Sequence, residues 1–444
     1  MKEDAVKNKR VAFCTLGCKV NQYETNAMMQ EFIKNGYTIV EFEEVADVYV
    51  VNTCTVTNMA DKKSRQMLRK VKEMNPESIL IAVGCYAQVA KQELETIPEI
   101  DLILGTNEKK DILKHIEELQ KNSKSFISDV LHQKEFVDFG VVTYTEKTRA
   151  VIKVQDGCDR FCSYCIIPFA RGRVRSRKTE SVLEEIKNIA NKGIKEVVIT
   201  GIHIASYGKD FKEDYHLIDL LEKVNQIDGI ERIRLGSIEP TLITEEFVKR
   251  LSKLEKICDH FHLSLQSGCN ETLSRMNRRY TTEEFEKATQ LLRKNYPNVA
   301  LTTDIIVGFP DETNEEFEKT YQYLKKIAFY KMHIFKYSPR KGTKAAIMPN
   351  QIDGNIKEER SRKLIALSDE NEINYNREYI GKQVKVLLED EHMENGKRYI
   401  KGHTTNYIVV KIMLDNTNIN YNNTIQEVKI IDTDGTELLG EVIN

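Results

Sequence analysis

The sequence predicts an α/β protein in three parts: an N-terminal α/β domain on a parallel sheet, a central partial barrel of six strand–helix repeats, and a small C-terminal β-barrel. Three observations predict it. Residues 10 to about 120 alternate short apolar runs with amphipathic stretches, and a second, longer alternation starts near residue 149. From Gly381 onward only short apolar runs separated by turn residues remain. The 444 residues far exceed the ~100–200 of one ordinary domain, which fits this division.

In the first part (1–120), Val11–Leu16, Asp47–Val51, Ser78–Val83 and Asp101–Leu104 read as buried strands, and Gln22–Asn35, Met59–Met74 and Asn107–Leu119 as helices. Strands joined through helices run parallel. Residues 121–148 are weakly patterned and read as a linker. In the central part (149–379), Ala150–Val154, Glu196–Thr200, Arg232–Leu235, Phe261–Leu265, Ala300–Val307 and Lys331–Tyr337 read as strands, with helices between them and a charged helical stretch from Arg360 to Tyr379. Six repeats are too few for a closed eightfold barrel of ~250 residues, so the barrel is expected to be open. In the last part (380–444), five short strands between Asn-Gly, Asn-rich and Asp-Gly turns suggest a barrel of the OB kind.

Composition narrows the function. The 66 Lys+Arg nearly balance 68 Asp+Glu, so attraction to nucleic acid must come from local patches. No apolar run approaches the ~18 residues of a membrane helix, so no membrane role is expected. The charged MKEDAVKNKR leads straight into a strand with no apolar signal segment, which points to the cytoplasm. In a reduced chain of this length, nine cysteines point to metal binding or catalysis rather than a disulfide framework.

Two sets of three cysteines stand out. Cys158, Cys162 and Cys165 sit in QDGCDRFCSYCIIPFARGRVRSR, directly after the first central strand. Three thiolates on one short loop can hold three corners of a cubane and leave its fourth iron open. Structural zinc wants four ligands, and no fourth Cys or His lies close by in sequence. Cys18, Cys54 and Cys85 each fall one or two residues beyond a strand, about one ~30-residue βαβ unit apart. Parallel strands place them at one sheet edge, where open α/β folds bind ligands. Ordinary buried cysteine is the competing reading for this set. Cys14, Cys258 and Cys269 read as bystanders.

The spacing Cys158-x3-Cys162-x2-Cys165, with Tyr164 before the third cysteine, resembles the radical S-adenosylmethionine superfamily. That resemblance implies a 4Fe-4S cluster whose open iron is chelated by the amino and carboxylate groups of S-adenosyl-L-methionine. Gly17-Cys18-Lys19-Val20-Asn21-Gln22-Tyr23-Glu24, Asn52-Thr53-Cys54 and Gly84-Cys85 resemble the methylthiotransferase family within it. This second resemblance covers nearly the whole chain and implies another 4Fe-4S cluster on Cys18, Cys54 and Cys85, and a C-terminal barrel like the RNA-binding TRAM module. TLGCKVNQYE is most similar to the branch that modifies N6-threonylcarbamoyladenosine next to the tRNA anticodon. Isopentenyladenosine in tRNA and a ribosomal-protein aspartate are the substrates of the other branches. A non-enzymatic metal- and RNA-binding protein is the reading from a different class.

The implied chemistry puts a methylthio group on C2 of the adenine, a carbon that acid–base side chains alone cannot activate. By the resemblance, an electron from the first cluster cleaves S-adenosylmethionine to a radical, the second cluster holds the sulfur, and a second cofactor molecule methylates it. An electron donor such as flavodoxin or ferredoxin is implied, and no side chain is assigned a catalytic role. Strand ends supply the candidate cofactor-binding residues Gly201, Glu239 and Gln266, with Thr200, Ser237 and Val307-Gly308-Phe309-Pro310 beside them. His203 and His262, near the same edge, read as hydrogen-bonded structural histidines. For the anticodon stem-loop, Arg171, Arg173, Arg175 and Arg177 with Lys178 read either as an extended ribbon gripping phosphates or as a solvated charged face, and Arg275, Arg278 and Arg279 as a weaker patch. Residues 381–444 carry seven Lys+Arg and ten Asp+Glu, so RNA contact there is expected through shape, Asn side chains or stacking on Tyr399 and Tyr407 rather than through simple electrostatics.

Overall fold

A computed structural model of the protein describes residues 9–119, 124–144, 148–414 and 420–443. The charged N-terminus, part of the expected linker and the Asn-rich turn at 415–419 lie outside the described residues.

The first sheet contains β1 (Arg10–Thr15), β2 (Thr38–Val40), β3 (Val48–Thr53), β4 (Ile79–Gly84), β5 (Leu102–Leu104) and β6 (Ser125–Phe126). All pairings are parallel, in the order β2-β1-β3-β4-β5-β6. Alternate residues bury on opposite faces. Val11, Phe13, Val48, Val50, Ile81 and Val83 pack on one side, and Ala12, Tyr49, Val51, Leu80 and Ala82 on the other. Burial on both faces is why these strands read as unbroken apolar runs. The edge strands β2 and β6 are too short to show a pattern, and β6 lies inside the stretch read as linker.

The central part holds β7 (Arg149–Asp156), β8 (Arg175–Ser176), β9 (Glu196–Gly201), β10 (Arg232–Leu235), β11 (His260–His262), β12 (Ala300–Val307) and β13 (Lys331–Lys336). One sheet runs β10-β9-β7-β8 and another β11-β12-β13, with single bridges at Ile233/Ile257, Ile238/Leu263 and Gln266/Ile305 joining them. β8 is the antiparallel strand. The result is the open six-strand barrel expected. Ile152, Val154, Val197, Ile199, Ile233, Phe261 and Leu301 face the surrounding helices. The alternate residues, among them Lys153, Gln155, Arg232, Arg234, His260, His262 and Asp304, line a polar lumen. Thr281 and Thr313 start helices Thr282–Asn295 and Asn314–Ile327 with capping boxes closed by Glu284 and Glu316.

After helix Gly354–Arg377 come β14 (Gln383–Glu394), β15 (Lys397–Thr404), β16 (Val409–Met413), β17 (Thr424–Thr433) and β18 (Leu438–Val442). They close a barrel in the order β14-β15-β16-β18-β17 around Val386, Leu388, Ile400, Val410, Val428 and Ile430. Among the described residues no helix is long and apolar enough to cross a membrane.

Candidate functional site

Cys158, Cys162 and Cys165 occupy the loop after β7. Gly157 has φ +71°, and a Cβ there would stand 1.8 Å from the Arg173 carbonyl oxygen, so only glycine lets the loop fold back at this point. The Cys158 N–H then donates to Gly172 O (3.0 Å) and the Cys165 N–H to Cys162 O (2.9 Å). Arg278 donates to Cys162 Sγ at 3.3 Å. Burial, reinforced by the neighbouring thiols, pushes Cys158 up to about 11 and Cys165 to about 12.

The second set is assembled by topology. Cys18 precedes helix Lys19–Lys34, Cys54 follows β3, and Cys85 opens helix Cys85–Val89 after β4. Because β1, β3 and β4 are neighbours, the three loops meet. Gly17 (φ +99°) is where they touch: a Cβ on it would lie 2.8 Å from Cys54 Sγ. Burial raises Cys54 to about 11 and also raises Cys85, whose Sγ accepts from Arg171 Nε at 3.2 Å.

Thiols kept protonated by burial ionise when a metal supplies compensating charge, so both sets have the chemistry of ligands. Their spacing bears on which metal. Tetrahedral zinc at a Zn–S distance of ~2.3 Å brings its sulfurs within ~3.8 Å of one another. Among the described residues neither set draws its three sulfurs within 4.8 Å. That spacing is wider than one zinc ion holds.

A buried ionic network joins the two sets. Glu24, fully buried, accepts from Lys109 (2.5 Å), Lys153 (2.7 Å) and Arg171 (2.5 Å). Burial alone would raise its pKa, but these three cations hold it well below the carboxylate range. Asp156, at the end of β7, is held at about 2 against its own burial by Lys153, Arg171 and Arg175. Arg177 pairs with buried Glu185 (3.0 Å) and has no face turned to solvent, its guanidinium also meeting Tyr23, Asp138, Gly140 and Ser181.

This overturns the arginine ribbon. Arg171, Arg175 and Arg177 are at most 1% exposed and belong to the interface. Helix Ile167–Arg171 ends in Gly172 at φ +76°, which breaks the extended alternation the ribbon required. Of that ribbon Arg173 and Lys178 stay exposed, Arg173 over the Phe161 ring and near Asp159 (3.5 Å). In the weaker patch, Arg275 pairs with Glu316, Arg278 joins the cysteine loop and only Arg279 is exposed.

Comparison with known proteins places this geometry. Residues 152–324 match the Radical SAM superfamily, and residues 10–105 match "Uncharacterized protein family UPF0004". The chain is 43% identical over 404 residues (90% of this chain, 89% of the relative) to the threonylcarbamoyladenosine tRNA methylthiotransferase MtaB of Bacillus subtilis. It is 43% identical to the MtaB of Aquifex aeolicus, covering 88% of this chain and 95% of that one. The tRNA-2-methylthio-N(6)-dimethylallyladenosine synthase of Caldicellulosiruptor saccharolyticus is 36% identical, covering 98% and 93%. The chain belongs to the radical S-adenosylmethionine methylthiotransferase family, in its MtaB branch. A fold likeness agrees: the radical S-adenosylmethionine methyltransferase TsrM of Kitasatospora setae superposes at a TM-score of 0.57 with 15% identity, covering 76% of this chain and 75% of that one.

A methylthiotransferase of this family uses a 4Fe-4S cluster and S-adenosylmethionine, and the strand ends beside Cys158 offer the remaining polar groups. Glu239, 4% exposed, accepts from Arg160, from Thr241 (3.1 Å) and from His203 Nε2 (3.3 Å), with Arg278 at 3.7 Å. Burial opposes its ionisation, but the His203 bond and the two arginines hold Glu239 at about 2. Gln266 lies four residues beyond β11, shorter than the strand expected to reach Leu265, and has φ +73°, a conformation side chains rarely adopt, with its backbone locked to Asp304 and Ile306. Gly201 ends β9, where a Cβ would crowd Gln155 O at 2.9 Å. Thr200 is buried and Ser237 exposed at the same edge. Tyr164 packs against Phe309 and so shapes the loop from below.

The C-terminal barrel docks at the opposite end. Arg232 donates to His403 O (2.8 Å) and Lys385 O (2.9 Å), and Arg234 to Thr405 O (2.8 Å). Tyr407 sits among His260, His403, Arg149 and Arg234, so it is a keystone of this interface and not a platform for bases. Tyr399 is covered by His392 and Lys411.

The sequence reading missed a basic surface. Helix Asn58–Met74 presents exposed Lys62, Lys63, Arg69 and Lys70. Its first turn is clamped to the cysteine edge by Arg340, which donates to Asp61 (2.5 Å) and Thr55 (2.6 Å). Four cations across one helical face were the available signal.

Proposed function

We propose that the protein converts N6-threonylcarbamoyladenosine next to the anticodon of tRNA to its 2-methylthio derivative, with one 4Fe-4S cluster on Cys158, Cys162 and Cys165 and a second on Cys18, Cys54 and Cys85. The observation that carries the reading is the pair of wide thiol sets on facing domain edges, joined through the buried Arg171–Glu24–Asp156 network. Bound there, the clusters and S-adenosylmethionine supply the one-electron and sulfur chemistry that side chains lack.

The chain's own residues position and shield. Arg171 and Arg278 each point a guanidinium at one cysteine sulfur and place fixed positive charge beside a site that becomes anionic when loaded. Glu239, kept ionised, is placed to accept the cofactor's amino group, and Gly201 and Gln266 leave room at adjoining strand ends. The helix of Lys62, Lys63, Arg69 and Lys70 meets the stem-loop phosphates. A reduced flavodoxin or ferredoxin delivers electrons in the cytoplasm.

Mass spectrometry of tRNA nucleosides from a deletion strain tests this. The 2-methylthio-N6-threonylcarbamoyl nucleoside should vanish and return with the plasmid-borne gene. An unchanged nucleoside profile rejects the reading, and loss of a methylthio mark from a ribosomal protein would replace it.

A further inference from the structure

We propose that His262, Asp304 and His333 hold a divalent transition-metal ion in the barrel lumen, and that this ion anchors the carboxylate of the substrate's threonylcarbamoyl group; the anchoring rests on the substrate reading above.

The three residues come from adjacent parallel strands. Asp304 lies directly opposite His333, and His262 opposite Thr302, two residues from Asp304 and therefore on the same face. One ligand atom from each lies within 4.8 Å of the other two, and among the described residues this is the group of His, Cys, Asp and Glu so placed. His262 Nε2 is 3.3 Å from Asp304 Oδ2, and the two imidazoles face each other with centroids 5.8 Å apart. The remaining nitrogen of His262, Nδ1, meets Thr302 Oγ1 at 3.0 Å. Thr302 Oγ1 can accept a proton from that nitrogen, the tautomer in which Nε2 is free to ligate. A His–Asp ion pair would need no second imidazole.

Two imidazoles and one carboxylate suit Fe, Mn or Zn and leave coordination positions open. The site is reachable, since His333 is exposed and the Asp304 side chain is 30% exposed. A threonylcarbamoyl group carries a carboxylate and a hydroxyl that can chelate such an ion through two oxygens. A dimethylallyl group offers no donor. The ion would thus separate the two adenosines by a contact that only one can make.

The test uses the cluster-loaded full-length enzyme under anaerobic conditions and Mn2+ as the probe, because a hard ion does not compete for thiolates. Electron paramagnetic resonance should show one Mn2+ bound per wild-type chain, displaced by Zn2+, and held at least tenfold more weakly by His333→Ala and Asp304→Asn at unchanged iron content. Stoichiometric binding absent from the wild type, or undiminished in both variants, overturns the site. N6-threonylcarbamoyladenosine should alter the bound Mn2+ spectrum and adenosine should not. A spectrum indifferent to both overturns the anchoring, whereas failure of the substrate reading shows separately in the deletion-strain nucleosides.

Discussion

Cys158, Cys162 and Cys165 lie on one loop of eight residues, whereas Cys18, Cys54 and Cys85 meet only because β1, β3 and β4 are sheet neighbours. The first set is local and needs little more than Gly157 to turn its loop. The second needs a folded sheet, and it needs the other domain as well, because the guanidinium against Cys85 is Arg171 of the barrel. The guanidinium against Cys162 is Arg278, from the same barrel as its loop. The second site is therefore completed by docking, and the first is complete without it.

The largest effects come from breaking one set at a time. Cys162→Ala should abolish both S-adenosylmethionine cleavage and product, and Cys54→Ala should abolish the methylthio product while cleavage continues. Anaerobic iron analysis should find about four irons per chain missing in each variant. An equal fall in cleavage in both would show that the sets are not independent.

Arg171→Met separates docking from local assembly. It strands Glu24 and Asp156 beside fewer cations in a dry interface, and breaking a buried pair in this way costs about 3–5 kcal/mol. Urea unfolding should show that loss, with iron falling at the second site and retained at the first. Arg278→Met should reverse the selectivity. Acid supplies a milder version of the same break. Asp156 is depressed from 3.8 to about 2, so its contribution is present above pH 4 and is lost as pH falls from 4 towards 2. Apoprotein stability should be indifferent to this group between pH 7 and 5, and Asp156→Asn should make the decline below pH 4 shallower, leaving the shares of Glu24 and Glu239.

The same contrast explains what the sequence could show. The local set is written in its spacing, and the distant set in three strand ends, because a parallel sheet converts sequence period into spatial convergence. The apolar runs of β1, β3, β4 and the barrel strands are legible for a related reason: helices cover them. The fate of Arg171, Arg175 and Arg177 is not legible, since alternation in RGRVRSR looks the same whether the partner is phosphate or a buried Glu24, Asp156 or Glu185. Those carboxylates lie elsewhere in the sequence. Tyr407 is hidden likewise, its neighbours His260, Arg149 and Arg234 coming from another domain.

The smallest expected effect concerns RNA, and it asks whether the domain of the distant set also supplies the grip. Lys62 and Arg69 are exposed, so iron content and thermal stability of the Lys62→Glu, Arg69→Glu double variant should match the wild type. Each phosphate left without its cation lowers the salt slope of binding by ~0.7–0.9, so removing two cations should lower it by about 1.5 and weaken stem-loop binding about tenfold or more at moderate salt. Arg173→Ala is the matched control on the local set's side, an exposed residue whose pairing with Asp159 at 3.5 Å adds little. If Arg173→Ala weakens binding as much as the helix pair does, the RNA is held from the barrel side after all. If neither changes the slope, the phosphates are met on a third surface, and the basic helix is only a solvated face of the N-terminal domain.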